Sequence, residues 1–129
     1  MVNGTNIVFD TCAIVKLLDR QYDLSSLVGI NVDEAQLFAS VVTRMELLSK
    51  RNIKEDEERD IQEFLDALIV VPIDTTVEKK AIEIRRATSV KLPDCIVAAT
   101  AIATGAVLLT DDQHLLALSW PGLRTQNIF

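Results

Sequence analysis

Short runs of β-branched and aromatic residues alternate along this chain with longer segments whose apolar residues recur at helical spacing. Ile7-Val8-Phe9 reads as a first strand, Leu37 to Val42 as a second, Val70 to Ile73 as a third and Ala106 to Leu109 as a fourth, with a last short strand at Thr125 to Ile128. Between them Thr11 to Leu18 suggests a helix. Lys54 to Ile69 places Ile61, Phe64, Leu65, Leu68 and Ile69 on one face of another. Thr75 to Thr88 repeats that pattern with Val77, Ala81 and Ile84, and Pro93 to Thr104 is an Ala-rich helix with Gly105 in the stop position. Strands that alternate with helices predict an α/β fold: a central, mostly parallel sheet of four to five strands, covered on both faces. The charged run from Lys54 to Asp60 fits the solvated start of a helix, where acids favour the positive end of the dipole. No linker, internal repeat or low-complexity segment interrupts the pattern.

Composition narrows the picture. A chain of 129 residues at 49% hydrophobic suits one domain, 1–129, and not two. With 19 acids against 13 bases and a net charge of −6, the chain is not built to coat nucleic acid through bulk electrostatics, so any such contact must be local or metal-mediated. The first residues lack the basic start and apolar core of a secretory signal, so a cytoplasmic protein is expected. The apolar stretch from Cys95 to Thr110 is interrupted by Thr100, Thr104 and Gly105 and flanked by Asp94, Asp111 and Asp112, and reads as helix, turn and strand, so no membrane association is expected. Cys12 and Cys95 form no C-x-x-C pattern and imply neither a disulfide framework nor a zinc ribbon; small buried hydrophobes are the expectation.

Four acids then stand out. Asp10 closes the first strand, Glu46 lies one turn into the helix after the second, Asp94 opens the Ala-rich helix, and Asp112 follows the fourth strand. In open α/β sheets ligands bind at the carboxyl ends of strands, so all four can meet on one rim. Each also has a plain structural explanation: Asp10 as an N-cap, Thr43 and Glu46 as a capping box, Pro93 and Asp94 as first-turn residues, Asp111 or Asp112 as the cap of a short last helix. Capping does not require acids on a common rim, and uncompensated like charges there raise pKa values and cost stability. Convergence therefore favours a site for a hard divalent cation such as Mg²⁺ or Mn²⁺, which prefers oxygen ligands.

The segments Ile7-Val8-Phe9-Asp10-Thr11, Val42-Thr43-Arg44-Met45-Glu46-Leu47-Leu48, Lys91-Leu92-Pro93-Asp94-Cys95-Ile96-Val97-Ala98-Ala99-Thr100 and Leu108-Leu109-Thr110-Asp111-Asp112 resemble, in order, the four acidic motifs of PIN-domain ribonucleases, and most of all those of VapC toxins of type II toxin–antitoxin systems. The resemblance implies a three-layer α/β/α sandwich and a Mg²⁺- or Mn²⁺-dependent endoribonuclease, active on RNA, held inactive by a cognate antitoxin and usually a homodimer. It implies Asp10, Glu46, Asp94 and Asp112 as the catalytic and metal-holding quartet and Thr11 as a supporting hydroxyl; within the quartet Asp10 and Asp94 are the choice for direct ligands, with Glu46 and Asp112 completing the shell through oxygen or water. Bound ions would activate water for in-line attack on the phosphodiester, with no nucleophilic side chain needed. Two positions depart from the pattern. Cys12 stands where the family often has Asn or Ser, which suggests a lost hydrogen bond near the first acid. Asp111 directly precedes Asp112; register favours Asp112 as the quartet member and Asp111 as its outer partner.

Substrate contact is read from the bases. Nine of the 13 lie in two segments, Arg44, Lys50, Arg51 and Lys54 near Glu46, and Lys79, Lys80, Arg85, Arg86 and Lys91 leading to Asp94. Arg44 and Lys91, nearest the acids, are the candidates for holding an RNA backbone; most of the others read as solvated helix faces. His114 reads as a surface residue rather than a general base. Both cysteines lie near predicted helix starts, where the dipole lowers a thiol pKa. Leu17, Leu24, Leu27, Leu47 and Leu48 are either core or the lining of an antitoxin groove. The scattered Gly4, Gly29, Gly105 and Gly122 exclude a dinucleotide fingerprint and a P-loop, and there is no H-E-x-x-H or G-x-S-x-G. A response-regulator receiver is excluded by the lack of an acidic pair ending the first strand. The rival is a catalytically silent PIN scaffold acting as a protein-binding module, against which the intact quartet argues.

Overall fold

A strand covered on both faces can be apolar at every position, and Ile7, Val8 and Phe9 are each fully buried. In the computed structural model, which describes residues 6–19 and 35–127, they belong to β1 (Asn6–Phe9), the middle strand of a five-stranded sheet. The others are β2 (Leu37–Ser40), β3 (Ile69–Val71), β4 (Ala106–Thr110) and β5 (Arg124–Asn127). Their order is β3-β2-β1-β4-β5 and every pairing is parallel. The helices are α1 (Thr11–Leu18), α2 (Val41–Leu48), α3 (Glu55–Asp66), α4 (Thr75–Ala87), α5 (Leu92–Thr104) and α6 (Gln113–Leu116). The predicted α/β sheet is therefore present and wholly parallel, with a three-layer α/β/α arrangement.

Alternate residues of β1 point to opposite layers. Ile7 and Phe9 join Ala13 and Ile14 of α1, Leu47 of α2, and Ile61 and Leu65 of α3 in one cluster. Val8 joins Val77, Ala81 and Ile84 of α4, Val97, Ala98 and Ala101 of α5, and Leu115 of α6 in the other. Phe9 meets Phe64 edge to face at 6.0 Å, which locks α3 onto the first layer. The alanines of α5 let that helix lie close to the sheet, and Gly105 ends it in the left-handed conformation at φ 63°, its N–H bonded to Ile102 O at 3.2 Å.

Several boundaries move from the sequence reading. β2 stops at Ser40 instead of Val42, because the Ser40 hydroxyl accepts from Val42 N at 3.1 Å and starts α2 there. Thr43 is consequently inside the helix, buried and without a hydrogen-bond partner for its hydroxyl, so the expected Thr43–Glu46 capping box does not form. α3 ends at Asp66, short of Ile69, which opens β3; Pro72 then ends that strand before Ile73. The last strand runs from Arg124 to Asn127, and Ile128 lies outside the described residues, as do Leu24 and Leu27. No helix among the described residues is long and apolar enough to cross a membrane.

β1 is where the chain reverses direction across the sheet. The crossover after it leads through α1 on one face to β2, whereas β4, on its other side, leads through α6 on the opposite face to β5. The turns leaving β1 and β4 therefore part, and leave a crevice at the carboxyl ends of these strands. Asp10 and Asp112 occupy those two turns.

Candidate metal and catalytic site

Asp10 follows β1 with extended backbone and caps α1, Thr11 N donating to its Oδ1 at 2.9 Å. Its other oxygen, Oδ2, accepts a 2.7 Å hydrogen bond from the Thr110 hydroxyl at the end of β4. That hydroxyl in turn accepts from Asp112 N at 3.0 Å, so one buried side chain ties the turns after β1 and β4 together. Asp112 caps α6, its Oδ1 accepting from His114 N at 2.8 Å and Leu115 N at 3.1 Å. Glu46, exposed on α2, accepts from the Thr11 hydroxyl at 2.8 Å. Asp94, half-buried in the first turn of α5, makes no hydrogen bond among the described residues.

Three of the acids act on the fourth. The Asp94 carboxyl is pushed up to about 6 by burial first, then by the negative charges of Asp10, Asp112 and Glu46, with Lys91 opposing them weakly. The capping roles of Asp10 and Asp112 are real as well, so the plain and the chemical explanations hold together at the same residues. As placed, no three His, Cys, Asp or Glu side chains among the described residues stand close enough to grip one ion. Glu46 is turned to Thr11, and Asp112 to the α6 amides. The donor types nevertheless suit a hard cation: the four acids offer carboxylate oxygens, and Asp94, without a hydrogen bond, carries a penalty of burial and like charge that a cation would relieve.

Asp111 and Asp112 face different ways. Asp111 forms an ion pair with Lys16 of α1 at 2.6 Å, and its backbone N–H donates to Cys12 Sγ at 3.4 Å. The Cys12 thiol and Lys16 hold the Asp111 carboxyl below the usual carboxylate range. The acid that bears on Asp94 is Asp112.

Cys12 does not leave the first acid unsupported. Its Sγ lies 3.5 Å from Asp10 Oδ2 and 3.5 Å from the Thr110 hydroxyl, and Thr110 supplies the strong bond. Nor does the start of α1 activate the thiol. Burial, then hydrogen bonding to the Asp111 carboxylate, push it to about 12, and burial likewise raises the Cys95 thiol, which donates to Val90 O at 3.3 Å in the core. Thr110 was absent from the sequence-derived candidates, because a Thr ending a strand reads as an ordinary β-former.

Around the site, Arg44 is exposed on α2 and Lys91 is exposed immediately before α5, within electrostatic reach of Asp94. His114 is 83% exposed with Nδ1 3.7 Å from Asp112 Oδ1, beyond hydrogen-bond distance. A cavity of about 670 Å³ opens from Thr11 and Glu46 between α1, α2 and α3. Its lining includes Leu47, so that leucine is both core and wall, whereas Leu17 and Leu48 are half-buried against the first cluster.

The PIN domain family model matches residues 7–120 of the chain. No curated protein sequence matches it. Among solved structures, the VapBC2 complex of Rickettsia felis bound to a DNA fragment from its promoter includes a chain that is similar with a TM-score of 0.80 at 20% identity, over 95% of this chain and 98% of that one. The DNA-bound VapBC of Salmonella typhimurium gives a TM-score of 0.77 at 20% identity, over 97% and 99%. VapBC-5 of Mycobacterium tuberculosis, from the VapBC family of toxin–antitoxin systems, gives 0.69 at 18%, over 96% and 99%.

Proposed function

This chain belongs to the PIN-domain family, whose members are generally nucleases, and from that premise we propose that it is a Mg²⁺- or Mn²⁺-dependent endoribonuclease, the toxin of a type II toxin–antitoxin pair. The observation that carries the reading is the half-buried Asp94 at the head of α5, without a hydrogen bond for its carboxylate and under the charges of Asp10, Asp112 and Glu46. Carboxylates perturbed by burial and like charge cluster at functional sites, and a cation would relieve the penalty.

Asp10 and Asp94 would hold the metal directly, and Glu46 and Asp112 would complete the shell as their side chains turn inward. A bound ion would supply Lewis-acid chemistry, lowering the pKa of water and neutralising phosphoryl charge. Thr11 orients Glu46, and Thr110 fixes Asp10 against the Asp112 turn. Asp111 steadies that turn from outside through Lys16. Arg44 and Lys91 would hold the RNA backbone on the two sides of the acids, as cations that position a phosphate without reading sequence.

A cognate antitoxin is the proposed partner, a homodimer the proposed assembly and the cytoplasm the proposed compartment; the fold is shared with chains crystallised in VapBC complexes. The test is cleavage of a panel of structured RNAs by the purified chain in Mg²⁺, Mn²⁺ and EDTA beside Asp94→Asn. Metal-dependent cleavage that vanishes in the variant is expected. Metal binding with every RNA left intact would instead favour the silent protein-binding scaffold.

A further inference from the structure

Each basic segment of the sequence has one ion-paired lysine among the described residues, and the acids around the two segments differ. Lys50, in the first, is ion-paired with Glu57 at 2.6 Å and stands in the α1–α3 cavity beside Asp19, Glu46, Asp56 and Asp60. One paired ammonium among so many carboxylates leaves that cavity anionic, and it repels phosphate. The second segment ends in a stretch free of acids. Lys80 pairs with Glu83 at 3.1 Å, but Arg85 and Arg86, exposed in the last turn of α4, and Lys91, exposed before α5, have no carboxylate at ion-pair distance among the described residues. No acid lies between Ile84 and Pro93.

These three cations gather where α4 hands over to α5, the same end of α5 that presents Asp94. Lys91 is within electrostatic reach of Asp94, and Arg85 of its neighbour Cys95. Arg85 spends one N–H on Thr88 O at 3.4 Å, which leans the guanidinium over the corner and leaves its other donors available. Exposed Ser89 adds a further hydroxyl there.

On the nuclease reading above, the geometry points to a direction for the substrate: the RNA backbone leaves the carboxylates over the α4–α5 corner, its phosphates on Arg85, Arg86 and Lys91, and nucleic acid is kept out of the α1–α3 cavity. Placing the cations to one side lets a chain of net charge −6 hold a polyanion locally while its far groove turns the strand away.

Binding separates this from cleavage. Anisotropy of a fluorescein-labelled, single-stranded oligoribonucleotide of mixed sequence is titrated against KCl in the Asp94→Asn background, with cleavage by the wild-type chain in Mg²⁺ and in Mn²⁺ measured on the same RNA. Arg85→Gln with Arg86→Gln should weaken binding about tenfold and lower the slope of log affinity on log salt by about 1.4, roughly 0.7 for each lost phosphate contact. Arg85→Lys with Arg86→Lys should restore the slope, which a folding defect would not allow. Lys54→Gln with Arg59→Gln, the same loss of charge before and on α3, should leave it unmoved. An equal loss in the α3 pair, a larger loss from Lys50→Gln, or no effect at Arg85 and Arg86 would overturn the route. Cleavage by the wild type with an unmoved slope sinks the route alone. A slope that falls as expected without wild-type cleavage in either metal supports the corner and sinks the nuclease reading.

Discussion

The Thr110 hydroxyl is bonded on both sides, donating to Asp10 at 2.7 Å and accepting from Asp112 N at 3.0 Å, in a place with no access to water. Replacing it by Val keeps the shape and removes both bonds, leaving a buried carboxylate oxygen short of a donor, at a cost of about 1–3 kcal/mol. Partners that orient metal ligands are typically worth about 10–100-fold in affinity. Thr110→Val should therefore unfold at lower urea and bind Mn²⁺ about 10–100-fold more weakly by calorimetry, with Thr110→Ser restoring both; unaltered Mn²⁺ affinity would deny Thr110 its positioning role. Asp94 yields a second expectation. Its folded carboxyl sits at about 6, above its ordinary value of 3.8, so the native state binds a proton that the unfolded chain has already released. The associated stability is whole at acid pH and is lost as pH rises through about 6. Without metal, Asp94→Asn should thus match the wild type at acid pH and exceed it in thermal stability above neutrality; equal curves throughout would mean that neither burial nor the neighbouring carboxylates penalise the Asp94 charge. The acids were legible in the sequence because each follows an apolar strand or opens a helix. Thr110 was not, and the surroundings of Cys12 were not, because both depend on atoms brought together from about a hundred residues apart, Cys12 to Thr110 for one.

At the level of elements, Asp112 is both the cap of α6 and the fourth acid, and substitution separates the roles. Asn caps a helix about as well as Asp, whereas Ala forfeits roughly 1 kcal/mol. Asp112→Asn should keep the urea midpoint and abolish RNA cleavage, and Asp112→Ala should lower both; full cleavage by the Asn variant would reduce Asp112 to a cap. Gly105 is the corresponding device at the end of α5. A Cβ there meets nothing within 4 Å, so Gly105→Ala isolates the strain of φ 63°, about 1–2 kcal/mol, in a urea titration. Helix types, their apolar faces and this stop were readable because period and punctuation are local. The ends were harder to read. Val41 and Val42 are β-branched and follow an apolar strand, yet the Ser40 hydroxyl accepts from Val42 N and starts the helix; local hydrogen bonding outweighs propensity where a short polar residue stands at the junction.

For the molecule as a whole, strand order was beyond the sequence. Strands of three to five residues carry alternation but no pairing code, and β1 lies between β2 and β4 only because the crossover through α4 and α5 carries the chain back past it on the other face. That return creates the crevice, and with it an energetic cost: the same topology that buries β1 on both faces half-buries Asp94 under the charges of Asp10, Asp112 and Glu46. The chain by itself carries this cost, and an ion that binds only the folded form removes it. Mn²⁺ at about 100 times its dissociation constant should add about 2.7 kcal/mol, which for a domain of this size raises the melting temperature by about 10 °C. The increment should disappear in Asp94→Asn, whose metal-free form already lacks the penalty, and should shrink below pH of about 6 as protons compete for Asp94. An equal rise in wild type and variant would place the ion elsewhere on this acidic surface. A rise confined to the wild type would tie the stability of the sheet to the occupancy of its edge, so that the metal completes the fold at the point where the sequence had left it under strain.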